Sequence, residues 1–410
     1  NALAEFVYYL SYSKWVPDKG RRETWIETID RYIDFMKFKV KDKLTDKEYA
    51  RIRQSMLELK VIPSMRLMWS AGKAAEATNV AAYNCSYLAI TKWEDFGEIM
   101  YISMCGTGVG FSVEKKFVDQ LPTIEMQNGD ILPKFVIEDS KEGWAEAFVF
   151  GLKTWATGKN VIFDFSKLRP KGARLNTMGG RSSGPEPLVE LIDFARKMIF
   201  SSQGKKLTSL QVHDLACKIG EIVISGGVRR SAMISLSDLT DEEIRHAKDG
   251  QFWNENPQRI MSNNSSVYNV KPSATEFLDE WLSLAKSGSG ERGIFNRGGL
   301  RKQLPARRWD VFADYADMSG TNPCGEIVLR SKQFCNLTAV IAREEDTVKS
   351  LKEKIEIATI LGTYQSTLTD FKFLSPEWRK NCEEERLLGV SFTGLWDSPI
   401  LRNEEVLREL

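Results

Sequence analysis

Through the first 60 residues the hydrophobic positions recur at spacings of three and four. TWIETIDRYIDFMKFKVK places Trp25, Ile29, Tyr32, Ile33 and Met36 on one helical face, and Thr45 with Glu48 reads as a capping box ahead of YARIRQSMLELK. Residues 1–77 are therefore expected to form an N-terminal helical region that covers another part of the molecule. From about residue 78 the pattern changes. Short β-like runs (CSYLAI, GFSVE, NVIFDF, SAMISL, SSVYNV, GIFN, EIVL, NLTAV) alternate with helical stretches at 186–203, 208–224, 275–286 and 350–368. Such alternation predicts an α/β domain with a largely parallel sheet or barrel over 78–410.

One long irregular segment interrupts this rhythm. Residues 166–185 (SKLRPKGARLNTMGGRSSGP) combine glycines with Lys167, Arg169, Lys171, Arg174 and Arg181, as an anion-binding loop would. SGGVRRSA (225–232) sets two glycines and two arginines between a helix and a strand, where backbone N–H groups can meet a ligand. Gly106, Gly108 and Gly110 are spaced G-x-G-x-G and lead into a strand instead of a helix, which argues against a dinucleotide fingerprint. Ser273 and Thr275 in KPSAT look like a phosphate turn but precede EFLDEWLSLAK, where they are expected to cap a helix.

Charge narrows the function classes. The 410 residues carry 57 Lys and Arg against 56 Asp and Glu, a net charge of +1, with no basic run. That excludes an electrostatically driven nucleic-acid or anionic-membrane binder. No apolar stretch approaches the roughly 20 residues of a bilayer span, and no leader pattern opens the chain. A soluble, cytoplasmic protein is expected. Only two histidines, His213 and His246, are present, both in helical patterns. Zinc hydrolases and Ser-His-Asp triads depend on imidazole, so any chemistry is expected to run on Cys, Glu and backbone, with no metal ligands.

The six cysteines are Cys85, Cys105, Cys217, Cys324, Cys335 and Cys382, and none forms a C-x-x-C pair. The most informative setting is SGTNPCGEIVLRSKQFCNLTAV (319–340). Pro323 and Gly325 make a stiff turn able to hold a side chain at a loop tip, and Asn322 and Glu326 flank the Cys324 thiol. The neighbouring carboxylate opposes thiolate formation and no histidine sits nearby, so a nucleophilic role is disfavoured. A neutral thiol beside a base suits hydrogen-atom transfer instead. A second pair of thiols elsewhere would supply two electrons.

These residues carry a resemblance. Asn322-Pro323-Cys324-Gly325-Glu326, Phe334-Cys335-Asn336-Leu337, Asn84-Cys85-Ser86 and Gly226-Gly227-Val228-Arg229-Arg230-Ser231-Ala232 resemble the catalytic chain of ribonucleotide reductase, most of all the monomeric, adenosylcobalamin-dependent ribonucleoside-triphosphate reductases. LRPKGARL, GPEPL and SNNS (262–265) are similar to further segments of those enzymes. The resemblance implies a ten-stranded α/β barrel with a central finger loop carrying Cys324. It implies a thiyl radical on Cys324 that takes the 3′-hydrogen of a ribonucleotide, Glu326 as base for the 3′-hydroxyl, and Asn322 holding the ribose. Cys85 and Cys335 would expel the 2′-hydroxyl as water and close into a disulfide. Ser86, Gly227 and Arg229 would contact the substrate. An allosteric dNTP effector would be read by Arg169, Lys171, Leu175 and Asn176, with Glu94 or Asp95 on its ribose. Cys105, Cys217 and Cys382 have no matching role and are expected to be packing thiols.

Several departures bear on partners. The Pro-Ser-Gly-Thr turn that cradles substrate phosphates, the paired cysteines of a C-terminal tail and an initiating Met are missing, and residues 1–60 lack the pattern of a regulatory ATP cone. A fragment, regulated in specificity but not in overall activity, is expected. The radical source is expected to be adenosylcobalamin, the alternative being a separate ferritin-like metal subunit. The implied partners are a di- or triphosphate ribonucleotide, a dNTP and an external thioredoxin-like dithiol, with the chain a monomer or a nucleotide-bridged homodimer. A second reading is a nucleotide-binding regulatory or structural barrel without catalysis.

Overall fold

The computed structural model describes residues 2–175, 181–225 and 232–410. The expectations for Asn176, Gly227 and Arg229 lie outside the described residues.

Helix Trp25–Val40 opens with a reciprocal Thr24/Glu27 capping box and turns Ile29, Tyr32, Ile33, Phe35 and Met36 inward. Helix Asp46–Leu57 opens with the expected Thr45/Glu48 box. This helical layer is not self-contained. Its apolar face joins the same buried cluster as Ile99, Leu361 and Tyr364, and Val61–Ile62 adds an antiparallel edge to the Leu337–Ile341 strand.

Among the described residues the main sheet has six strands, in the order Gly293–Phe295, Ser262–Val267, Met233–Asp238, Gly108–Ser112, Cys85–Ala89, Gln333–Phe334. The first five are mutually parallel and the last is antiparallel to Cys85–Ala89. Strands Cys85–Ala89 and Gly108–Ser112 are buried at every position, as parallel strands covered on both faces must be. Helices Trp93–Met104 and Ala274–Ser287 make two of the crossovers. A second sheet pairs Leu337–Ile341 in parallel with Gly389–Thr393.

The two sheets share one run of chain. Phe334 pairs with Ser86 in the first sheet and Ala339 pairs with Ile62 in the second, so the strand crosses between them at Cys335 and Asn336. There Asn336 Nδ2 donates to the carbonyls of Gly362 (2.8 Å) and Leu387 (2.9 Å). The α/β class is as expected, while among the described residues the ladders do not join the outer edges of the sheets into a ten-stranded ring.

Between Gly108–Ser112 and Met233–Asp238 lies an inserted unit. Strands Ile131–Val136 and Asn160–Asp164 pair in parallel around helix Lys141–Ala156, which buries Phe148, Leu152 and Trp155. Helices Glu186–Ser201 and Ser209–Ser225 return the chain to the sheet. Among the described residues no helix is long and apolar enough to cross a membrane.

Candidate active site

Residues Gly320–Thr321 and Val328–Leu329 pair as a short antiparallel hairpin. Its tip is tied by Asn322. The backbone N–H of Asn322 donates to Ile327 O (3.2 Å), its Oδ1 accepts from Ile327 N (3.0 Å), and its carbonyl accepts from Gly325 N (2.9 Å). Gly325 sits at φ +84°, a left-handed conformation that costs little only for a residue without Cβ. The Pro-Cys-Gly run is thus a turn with Cys324 at its apex, and Cys324 is the one exposed thiol of the six.

The hairpin lies against the middle of the main sheet because glycines make room for it. A Cβ on Gly110 would meet Thr321 O at 2.2 Å, and one on Gly108 would meet Pro323 Cγ at 3.3 Å. On the other side, a Cβ on Gly320 would strike the Tyr87 ring at 2.1 Å. The G-x-G-x-G spacing therefore serves close approach of one backbone to another at Gly108 and Gly110.

This contact brings thiols together from distant parts of the chain. Cys85 Sγ lies 3.9 Å from Cys324 Sγ. Cys335 stands opposite Cys85 on the neighbouring strand, its N–H donating to Cys85 O (3.0 Å). The hydrogen bond with Cys85, then burial, then the charge of Glu326 push the Cys324 thiol up. Cys85 is pulled down by its contact with Cys324, yet the neighbouring Cys335 thiol and burial outweigh this and hold it above the ordinary thiol range. Cys85 and Cys324 are therefore held as neutral thiols, carrying hydrogen at neutral pH. Glu326 is exposed, close enough to act on both. Asn322 is fully buried, and its Nδ2 has no hydrogen-bond partner. A buried donor left open is costly unless something fills it. Ser86, buried beside Cys85, donates to Gly108 O (3.0 Å), so its hydroxyl is engaged within the sheet.

Two buried arginines flank the hairpin, and sequence reasoning missed both. Arg297 donates to both oxygens of Glu114 (2.7 and 2.6 Å) and twice to Ser319 O (3.0 and 2.7 Å), the residue before the incoming arm. Arg330, the residue after the outgoing arm, reaches Glu384 (2.6 Å), Glu385 (3.3 Å) and Val311 O, with its guanidinium 3.9 Å from the centre of the Tyr315 ring. Arg297 and Glu114 stand 183 positions apart, and no spacing rule could have paired them.

The expected effector residues have separate partners. Asp95 is fully buried: its Oδ2 accepts from the N–H groups of Thr91 (2.8 Å) and Lys92 (3.0 Å), and its Oδ1 faces Lys332 (2.9 Å). In this structure it serves as a helix cap and ion-pair partner. Glu94 is partly exposed and pairs with Lys153. Arg169 pairs with Asp139 (2.7 Å), Lys171 is exposed and Leu175 half-buried.

The remaining expectations resolve as packing. His213 is buried against Ser235 (3.0 Å), and burial lowers its pKa to about 3. His246 is a surface partner of Asp249 (2.6 Å). Burial raises Cys217 and Cys382 to about 12 and also raises Cys105, and all three are enclosed. Ser273 caps helix Ala274–Ser287 as expected. Among the described residues no cluster of three or more His, Cys, Asp or Glu could hold a metal ion.

Two family descriptions match parts of the chain: the ribonucleotide reductase alpha domain over residues 1–73, and the insertion domain of B12-dependent ribonucleotide reductase over 112–199. The second span holds the inserted unit described above. The chain is 29% identical to the adenosylcobalamin-dependent ribonucleoside-triphosphate reductase of Euglena gracilis, covering 96% of this chain and 56% of that protein. It is 26% identical to the enzyme of the same description from Lactobacillus leichmannii, covering 96% and 61%. It thus spans about three fifths of the length of these relatives. A crystal structure of B-12 dependent (class II) ribonucleotide reductase superposes with a TM-score of 0.76 at 22% identity, covering 96% of this chain and 62% of that one. The class Id ribonucleotide reductase alpha subunit of Actinobacillus ureae gives 0.54 at 10% identity, covering 100% and 64%. The chain resembles the ribonucleotide reductase catalytic chain in its adenosylcobalamin-dependent form, as its motifs imply.

Proposed function

We propose that this chain, similar over 96% of its length to adenosylcobalamin-dependent ribonucleoside-triphosphate reductases, reduces ribonucleoside triphosphates to 2′-deoxyribonucleotides by thiyl-radical chemistry. The observation that carries the proposal is the gathering of Cys85, Cys324 and Cys335 around one hairpin tip, with Asn322 and Glu326 beside them.

Each residue has work that fits its setting. Cys324, a neutral thiol, has a hydrogen atom to lose and as a thiyl radical takes the 3′-hydrogen of the ribose. Glu326 accepts the 3′-hydroxyl proton. The open Nδ2 of Asn322 donates to a ribose hydroxyl, satisfying a group that otherwise stays unpaired. Cys85 and Cys335 give their two hydrogens: the 2′-hydroxyl leaves as water, a 2′ C–H bond forms, and the two sulfurs join as a disulfide. Cys324 recovers its hydrogen at the end. An external dithiol of the thioredoxin kind reduces the disulfide back to two thiols, itself becoming a disulfide, and a dNTP bound near Arg169 and Lys171 selects the substrate. In this reading Ser86, Gly227 and Arg229 contact the substrate, and Leu175, Asn176 and Glu94 or Asp95 contact the effector.

The exposure of Cys324 fits a bulky cofactor, because among the six thiols it is the one an outside group can reach. Bound adenosylcobalamin supplies the one-electron chemistry that removes the thiol hydrogen. The cobalamin dependence stated for the relatives and the match at 112–199 favour this over a ferritin-like subunit. The test is Cys324→Ala, assayed with adenosylcobalamin, a dithiol and a dNTP. Loss of deoxynucleotide formation with an unchanged circular dichroism spectrum is expected, and retained turnover would refute the proposal. Tight dNTP binding by the parent chain without product under any radical source would return the regulatory-barrel reading.

A further inference from the structure

The hairpin that carries Cys324 is held by only two ladder pairs, Gly320 with Leu329 and Thr321 with Val328. An isolated two-stranded ladder is marginal in water at best. Something else must fix the height of its tip over Cys85. Immediately outside the ladder on each arm stands a buried guanidinium, Arg297 on Ser319 O and Arg330 as the next residue after Leu329, exposed by only 5% and 1%.

The partners of these arginines lie beside the elements that carry the other two thiols. Glu114, fully buried, follows the Gly108–Ser112 strand that pairs with Cys85–Ala89, and accepts from Ser112 Oγ (2.8 Å). Glu385 receives both Arg330 and Gln333, whose Nε2 donates at 2.7 Å. Gln333 also accepts from Arg330 N (2.9 Å) and lies two residues before Cys335. Each arginine thus ties one arm of the hairpin to a strand that sets another thiol. Burying such pairs yields little net stability, since apolar residues of the same volume often do as well. Their planar forks fix direction in a way a packed side chain does not.

We infer that Arg297 and Arg330 are positioning residues that set the distance between Cys324 and Cys85. The inference rests on the reading of Cys324 as the radical-bearing thiol for its catalytic consequence, though not for its geometry. The test is disulfide trapping in the full chain. In a Cys335→Ala background, diamide accepts the two thiol hydrogens as Cys85 and Cys324 join, and peptide mass spectrometry reads the rate. Arg297→Lys keeps the charge and loses the fork; it should slow trapping at least five-fold. Without the Cys335 change, it should lower kcat ten-fold or more with KM within two-fold. Arg292→Lys is the control, because Arg292 is equally buried and forked onto Glu280 but does not touch the hairpin. It should leave trapping within two-fold of the parent.

Trapping unchanged in Arg297→Lys, equal slowing in Arg292→Lys, or a parent that does not trap would each overturn the inference. If Arg297→Lys does not fold, Arg330→Lys carries the same expectation, and loss of fold in both would make them structural residues and overturn it too. Failure of the catalytic reading would show separately, as turnover retained in Cys324→Ala, and would leave the trapping result standing.

Discussion

Gly110→Ala adds one methyl group where the hairpin crosses the sheet. The new Cβ would lie 2.2 Å from Thr321 O and 3.1 Å from Ile234 Cγ2. Non-bonded heavy atoms settle near 3.5 Å, so the Thr321 backbone would have to retreat by about 1 Å. Relief by a side-chain rotation is closed off, because the nearest atom is a carbonyl within a ladder and the strand is buried at every position. Overpacking of this kind costs roughly 1–3 kcal/mol. Displacing a reacting group by about 1 Å costs on the order of 100-fold in rate. Cys324 lies three residues beyond Thr321, so the expected result is a modest fall in the urea midpoint with about 100-fold lower kcat. Gly108→Ala is the internal comparison: its Cβ would meet Ala232 O at 3.1 Å and Pro323 Cγ at 3.3 Å, contacts that need only tenths of an ångström. It should turn over within a few-fold of the parent. Steady-state kinetics and urea titration of the two variants decide the matter. Gly110→Ala turning over like the parent, or Gly108→Ala equally damaged, would refute the reasoning.

Asp95→Ala removes the carboxylate that caps helix Trp93–Met104 and faces buried Lys332; a stability loss of about 3 kcal/mol in urea titration is expected, and a loss below about 1 kcal/mol would reject the structural role. His213 has a folded pKa of about 3 against an ordinary 6.5, so between these values the unfolded chain binds the extra proton and stability falls as pH falls from 6.5. His213→Gln should flatten the stability curve between about pH 6.5 and 5, above the range where carboxylates titrate. Among the six thiols of the native chain, iodoacetamide should modify exposed Cys324 first, with a rate still climbing at about pH 9 because its pKa is raised. A plateau below neutral pH would contradict a hydrogen-bearing thiol.

What the sequence made legible was local. The switch from a helical to an alternating period near residue 78, the Thr45 and Ser273 caps and the turn around Cys324 all depend on neighbours within a few positions. Cys324 was legible because its turn is unusual in itself, whereas Cys85 and Cys335 were picked out by resemblance. What it hid was long-range. Arg297 with Glu114 and Lys332 with Asp95 are meetings that only the strand order decides. The Gly106, Gly108 and Gly110 spacing argues against a dinucleotide fingerprint, and read alone it does not show that the hairpin backbone passes against Gly108 and Gly110. The capping of helix Trp93–Met104 by Asp95 is local too, since an acidic residue three positions after Lys92 at a helix start is a capping arrangement. Closure of ten strands into a ring came from resemblance and not from any period in the chain.

The run from Gln333 to Ile341 serves two sheets at once, with Cys335 at the crossing. Adding or deleting one residue there would flip every side chain beyond it to the opposite face, unseating Cys335 from Cys85 or Ala339 from Ile62. The inserted unit around strands Ile131–Val136 and Asn160–Asp164 answers to no such double constraint, so over evolutionary time this chain is free to lengthen or shorten in the turns of that unit, while the nine residues through Cys335 must keep their count.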